Sequence, residues 1–414
     1  MKRIEHDGPP LNLVLIGSGH YTTGMTDLLG RKATDKDFGV LLPSALHLRE
    51  RGWVDRIAVC GQNGDKLQAL SERIAPWAAD PGIDTRFEAY PGPGEIDGHA
   101  FLRALDEMPR PCAALIAVPD DLHVSAMLAC AERGIPFLIV KPATTRLADL
   151  HQVLDRLPTD LLAMVDYHKV YDEANLLLLD DLSQGAYGRV HHVSSLMSQR
   201  RDMIEIYGRW LQRNPGCNIN HYLGSHYIHM TGFLTGAEPL DVRATQQFGF
   251  IREHHGLDVA DTIQTQVRWR APLGYEFVSY HIAGWADPSQ TESMTYQEMH
   301  LLTEQGHVFS DQRYRGTRRV LAGPGMQAPN PYFFNLARAL TGGWNLETKY
   351  GYISVRTFVE LALAAPAART GLRLPTLAES ERVTAVLEAA DLSLAQGSAV
   401  VPLRREAGRL TTGH

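Results

Sequence analysis

The stretch Leu11–Gly24, LNLVLIGSGHYTTG, is the one whose reading decides the fold. Leu11 to Ile16 is an apolar run of the kind that forms a strand buried on both faces. Gly17 and Gly19 follow it at once in a G-x-G pattern. Glycines are needed at such a point for a tight turn and for close approach of the backbone to a pyrophosphate held at a helix N-terminus. The third position of the pattern is Thr22 instead of Gly or Ala, and Gly24 stands two residues later. Thr22 and Thr23 offer hydroxyls to a phosphate in place of the missing glycine. Gly17, Gly19, Tyr21, Thr22 and Thr23 are therefore the expected cofactor contacts of this turn. A glycine pair after a strand is also an ordinary turn signal, so the surrounding sequence has to decide.

Outward from the turn, short apolar runs alternate with helical patterns. Arg56–Cys60, Ala113–Val118 and Phe137–Val140 read as strands, the last preceded by the amphipathic SAMLACAERG, which stops at Gly134. Such alternation implies βαβ units and a parallel sheet. The second strand should end in an acidic residue that binds the adenosine ribose. Gly61 and Gln62 stand there instead, so Gln62 or Asn63 is expected to hydrogen-bond the ribose. No arginine beside that strand end marks a 2′-phosphate pocket. The cofactor expected is NAD or NADP, with NAD slightly favoured.

Beyond Pro142 the pattern changes. A helical stretch from Leu147 to Leu157 leads to a short run, Leu161–Val165, and ANLLLLDDLSQG reads as a helix closed near Gly185. In DTIQTQVRWR, Ile263, Thr265, Val267 and Trp269 alternate with Gln264, Gln266, Arg268 and Arg270, as in a strand with one covered face. Pro272 and Gly274 then turn the chain into YEFVSYHI, the returning strand. The second region is expected to be a mostly antiparallel sheet with helices on one face. A late helix in TLAESERVTAVLEAADLSLA is expected to be capped by Thr376. The expected division is residues 1–145 and 146–414.

The bulk composition agrees with two globular domains: 414 residues, 44% hydrophobic and 21% charged. A formal net charge of −7 provides no basic footprint for nucleic acid or for an anionic membrane. Cys60, Cys112, Cys130 and Cys217 are far apart, as expected of reduced thiols in a cytoplasmic protein. LNLVLIG is too short for a membrane span and lacks the features of a signal peptide.

Three further segments add a family resemblance. AVPDDLHVSAMLACAERGIPFLIVKPATT resembles the Gfo/Idh/MocA (glucose–fructose oxidoreductase and inositol dehydrogenase) family, in which a T-P-x-x-x-H segment precedes a helix, a strand and an E-K-P signature. The matching residues are Pro119, His123, Lys141 and Pro142, with Val140 in place of the glutamate. DYHKVYDEAN resembles the family's next segment. YLGSHYIHMTGFLTG resembles its D-x-G-x-H stretch, with Tyr222 at the Asp position and His226 at the His position. Gly351, Tyr352 and LPTLAESERVTAVLEAADLSL resemble the closing segment. An insertion around Arg31–Phe38 departs from the pattern. The resemblance implies an α/β protein, with an N-terminal Rossmann parallel sheet and a C-terminal α+β domain carrying a large, mostly antiparallel open sheet. It also implies a homodimer or homotetramer, and oxidation or reduction of sugars, inositols and related alcohols with NAD or NADP. Pro119 and His123 are expected near the cofactor, and a cis bond is expected at Lys141–Pro142.

Moving hydride from an alcohol carbon requires that the hydroxyl proton leave as well. Histidine, with an ordinary pKa of about 6.5, suits that task, and His226 is the expected base. Lys141, at a strand tip on the carboxyl edge of a parallel sheet, is expected to touch the cofactor and to polarise the substrate oxygen. Tyr222, four residues before His226, is expected to donate to substrate or act as the acid partner in catalysis, with plain packing as the alternative. His168, Lys169 and Tyr171 are weaker candidates for contacts to substrate hydroxyls. His221, His226 and His229 suggest a metal, but no HExxH pattern accompanies them and none is expected. A sugar or cyclitol dehydrogenase is thus the first reading. A hydrolase, epimerase or lyase with transient substrate oxidation is the second, and a non-catalytic ligand sensor the third, disfavoured by Lys141 together with His226.

Overall fold

The computed structural model describes residues 8–25, 38–214, 216–323 and 325–413. Two compact units divide the chain. One comprises Met1–Val140, Gln152–His168 and Tyr332–Leu377; the other comprises Lys141–His151, Lys169–Pro331 and Ala378–His414. The chain thus changes unit several times, where the sequence suggested one change at residue 145. The reason is apolar: a late helix buries its side chains in the core of the first unit, as described below.

The first unit is built on six strands, β1 (Leu11–Ile16), β2 (Val54–Cys60), β3 (Glu88–Tyr90), β4 (Cys112–Ile116), β5 (Phe137–Val140) and β6 (Ala163–Asp166), in the order β3-β2-β1-β4-β5-β6. Every pairing is parallel. All six residues of β1 are buried, as a central strand covered on both faces requires. Ile16 pairs with Cys60 on one side and Ile116 on the other. Gly17 therefore leaves the sheet at the carboxyl edge where the strand order reverses, the place at which open α/β sheets bind ligands. Helices α1 (His20–Thr23), α2 (Leu41–Glu50), α3 (Gly64–Ile74), α4 (Ala100–Glu107) and α5 (His123–Glu132) follow in sequence between the strands, and α6 (Leu147–Leu154), between β5 and β6, contributes to both units. Most of the insertion expected at Arg31–Phe38 lies outside the described residues. Leu13, Leu15, Val59 and Leu115 of the sheet share a core with Leu41 and Leu46 of α2 and with Tyr352, Val355, Phe358 and Val359 of the late helix Tyr350–Leu363.

The second unit carries α7 (Glu173–Ser183), α8 (Ile204–Arg213), α9 (Ser225–Thr235) and α10 (Phe250–His255), and eight strands. These are β7 (Val190–Arg200), β8 (Glu238–Gln247), β9 (Thr262–Arg270), β10 (Glu276–Asp287), β11 (Thr295–Thr303), β12 (Gly306–Asp311) and, after the hairpin of β13 (Arg319–Leu321) and β14 (Gly325–Gln327), β15 (Val401–Glu406) and β16 (Arg409–Thr412). Their order is β12-β11-β7-β10-β9-β8-β15-β16, antiparallel except for β7 against β10. Ile263, Thr265, Val267 and Trp269 are buried and their neighbours face outward, as the alternation predicted. On the covered face Trp269 Nε1 donates to Ser279 Oγ (2.7 Å), and the same oxygen lies 2.8 Å from His281 Nε2. The late helix Tyr350–Leu363 is α11, and α12 (Glu381–Ala395) packs on β8.

The residue at the N-terminal boundary of α12 is Ser380 and not the expected Thr376. Thr376 sits in extended backbone: Val165 N donates to Pro375 O, Leu377 N donates to Ala163 O, and Met164 is bridged to Thr376. Pairing with β6 competes with helical geometry and delays the helix. Among the described residues no helix is long and apolar enough to cross a membrane.

Candidate active site

In the first unit the glycine turn has two different glycines. Gly17 has φ +109°, and a Cβ there would lie 2.1 Å from Ala117 O, so neither backbone nor space admits another residue. Gly19 has an ordinary φ of −80°, and a Cβ there would meet no atom within 4 Å. Packing does not require glycine at 19, and the space beside it is open. Thr22 and Thr23 are both buried. Thr23 Oγ1 donates to the carbonyls of Ser18 (3.1 Å) and Gly19 (3.2 Å), which makes it a brace of the turn. Thr22 Oγ1 has no hydrogen-bond partner among the described residues. The open space at Gly19 and the hydroxyl of Thr22 fit a dinucleotide phosphate. The helix that follows, α1, is only four residues long, ending at Gly24 with φ +74°.

Tyr21, in the same turn, donates its phenol to Asp166 Oδ2 at 2.6 Å. Asp166 ends β6, is 2% exposed and also accepts from Ser354 Oγ of α11 at 2.6 Å. Burial alone would raise its pKa, but hydrogen bonds and charge from His168, with those from Ser354 and Tyr21, hold it below the usual carboxylate value. His168 Nδ1 lies 3.9 Å from the carboxylate and 3.4 Å from the Tyr21 oxygen. Phe333 and Tyr350 flank the imidazole, at 4.9 and 5.7 Å between ring centres.

In the second unit Lys141, the residue after β5, donates its ammonium to the backbone carbonyl of Tyr222 and sits 4.6 Å from the centre of the Tyr222 ring. The Lys141–Pro142 bond is cis. Tyr222 lies in a π-turn, Asn220–Gly224, that runs into α9. A Cβ on Gly224 would fall 2.0 Å from Asn220 Oδ1, so glycine makes room for the asparagine inside the turn. Asn218 Oδ1 accepts from the N–H groups of Asn220 and His221, and Asn218 Nδ2 donates to Asp391 of α12 (2.9 Å). His226 follows in the first turn of α9 and is 6% exposed. The Tyr222 ring stacks on Trp285 of β10 (5.5 Å, 8° between planes), and Tyr207 and Trp210 of α8 complete an aromatic wall.

Other expected contacts sit differently. His123 is fully buried with Nε2 3.0 Å from Val118 O, so it braces the loop carrying Pro119 and has no exposed edge for a cofactor. Asn63 Oδ1 accepts from the N–H groups of Asp65 and Lys66; it is the cap of α3, and its oxygen is committed there. Gln62 is exposed at the end of β2. Lys169 is 3% exposed and donates to Gln297 Oε1 (2.5 Å) and Gln312 Oε1 (2.8 Å), with the Tyr227 ring 5.1 Å away. Burial pushes its pKa down to about 7. It belongs to an interior network and not to a substrate-facing surface. His221 and His229 turn to Asp391 (2.9 Å) and Glu379 (3.1 Å), each to a separate carboxylate. Asp166, Trp285, Gln297 and Gln312 were not singled out in the sequence. The polar residue closing the apolar run AMVD was the visible signal for the first of them.

No family model matches the chain. Solved structures match nearly all of it. The inositol dehydrogenase homolog of Azotobacter vinelandii, complexed with NADH and myo-inositol, matches over 95% of this chain and 98% of that one, with TM-score 0.67 and 12% identity. Myo-inositol 2-dehydrogenase of Lactobacillus plantarum matches over 95% and 100% (TM-score 0.67, 13% identity), and apo scyllo-inositol dehydrogenase of Lactobacillus casei over 95% and 98% (TM-score 0.67, 11% identity). The chain has the Gfo/Idh/MocA fold.

Proposed function

We propose that this chain is an NAD(P)-dependent oxidoreductase interconverting a hydroxyl and a ketone or lactone on a sugar, sugar derivative or cyclitol, with NAD slightly favoured over NADP. The observation that carries the proposal is Lys141 held by the Tyr222 carbonyl and ring, four residues before His226, in a chain with the fold of inositol dehydrogenases. The nicotinamide supplies the hydride acceptor or donor. His226 takes the proton from the reacting hydroxyl in oxidation and returns it in reduction. The Lys141 ammonium, held beside the Tyr222 carbonyl and ring, polarises the substrate oxygen, where charge develops. Gly17, Gly19, Tyr21 and Thr22 form the cofactor turn. The preference for NAD rests on the absence of an arginine beside the end of β2.

We further read the protein as cytoplasmic and as a homodimer or homotetramer. Four free cysteines support the first. Tyr280, Ile282, Leu302 and Phe309, exposed on the outer face of the eight-stranded sheet, support the second.

A native mass spectrum of the full chain, followed by absorbance at 340 nm with a panel of cyclitols and aldoses, tests the proposal. A bound or added dinucleotide and NADH formed in proportion to product are expected. His226→Ala should lower turnover by about 10²–10⁴-fold with cofactor binding intact, and Lys141→Ala should abolish turnover. Turnover without a net change at 340 nm would move the assignment to transient oxidation. Binding of neither NAD nor NADP would end it.

A further inference from the structure

We infer that Asp166 is a positioning residue for the cofactor turn, clamping it from the end of edge strand β6 through the phenol of Tyr21. The inference rests on the dinucleotide reading above and concerns residues of the first unit only. Tyr21 is the second residue of the four-residue α1, immediately after Gly19 and His20, and its backbone carbonyl accepts from Val40 N (2.6 Å). Its hydroxyl spans 145 positions of sequence to reach Asp166. The Thr23 hydroxyl closes within the turn, while Gly17 N donates to Cys60 O of β2 (3.0 Å) at its start. The bond to Asp166 adds a side-chain tie from a second strand. It joins the turn to the last residue of β6, which Ser354 fixes from α11, while His168 packs nearly parallel to the Tyr21 ring (6.4 Å between centres, 20° between planes).

A buried, ionised acceptor makes such a bond strong, because a carboxylate out of water depends on each of its donors. Preorganising a loop in its bound geometry raises affinity by lowering the ordering cost of binding. Asp166 and Ser354 are far from Gly17 and Gly19 in sequence, yet the orientation of the turn depends on the first of them.

The carboxylate has two hydroxyl donors, and they separate a positioning role from a purely structural one. Tyr21→Phe and Ser354→Ala each remove one hydrogen bond to the same group and should lower the melting temperature of the full chain. Only Tyr21→Phe should weaken binding of NADH (or NADPH, whichever the wild type prefers), by roughly tenfold in Kd by titration calorimetry. Asp166→Asn should weaken it at least as much, if it folds. Equal affinity of Tyr21→Phe and wild type, or equal weakening by Tyr21→Phe and Ser354→Ala, overturns the inference and leaves the dinucleotide reading standing. A wild-type protein that binds no dinucleotide overturns both.

Discussion

Lys169 places an ionisable head in the interior, where two glutamine oxygens and an aromatic ring surround it and Asp172 is bound to Arg315. Its pKa, lowered by burial to about 7, lies below that of the unfolded chain. Between about pH 7 and pH 10 the unfolded state therefore binds more protons than the folded one, and stability from this group rises with pH at up to about 1.4 kcal/mol per unit. Below pH 7 both states are protonated and the slope vanishes. Lys169→Met should flatten the rise while leaving stability at pH 7 equal or higher, since an apolar side chain carries no desolvation cost. Urea unfolding of both proteins at pH 7, 8 and 9 measures the difference. Equal slopes would show that Lys169 stays charged in the fold. The sequence exposed the lysine but not its burial, because the glutamines that solvate it come from β11 and from the segment after β12.

At the scale of the turn, the two glycines predict opposite failures. Gly17→Ala forces a Cβ against Ala117 O in a backbone conformation that L-residues avoid, and should destabilise the protein by about 2–5 kcal/mol. Gly19→Ala adds a methyl group where no protein atom stands, so thermal unfolding should match wild type while dinucleotide affinity falls about tenfold or more. Loss of stability in both, or of affinity in neither, would remove the turn from the cofactor site. The four strands expected in the first third were legible because buried parallel strands are written as continuous apolar runs. β3 was not: Glu88–Tyr90 is a three-residue edge strand with no such run. Thr376 looked like a cap because sequence cannot register that β6 would claim its backbone. Of the candidate site, motif order pointed to Lys141 and Tyr222, which the structure brings into contact. His123 and Asn63 make protein contacts, to Val118 O and to the first turn of α3, that a motif position does not register.

At the scale of the molecule, the first unit closes only with residues 332–377. Tyr352, Val355, Phe358, Val359 and Leu361 are fully buried in its core. At about 2 kcal/mol each, their burial is worth about 10 kcal/mol, as much as the whole stability of an ordinary domain. A fragment of residues 1–168, which contains all six parallel strands, is therefore expected to lack a cooperative unfolding transition and to bind the dye ANS. A sharp thermal transition in that fragment would contradict the role given to α11. Synthesis is vectorial, and this arrangement sets its timetable. The strands of the parallel sheet leave the ribosome early, but their closing helix emerges some two hundred residues later. The nascent chain must carry a partly uncovered apolar core through about half of translation, a period in which holding chaperones have a surface to grip.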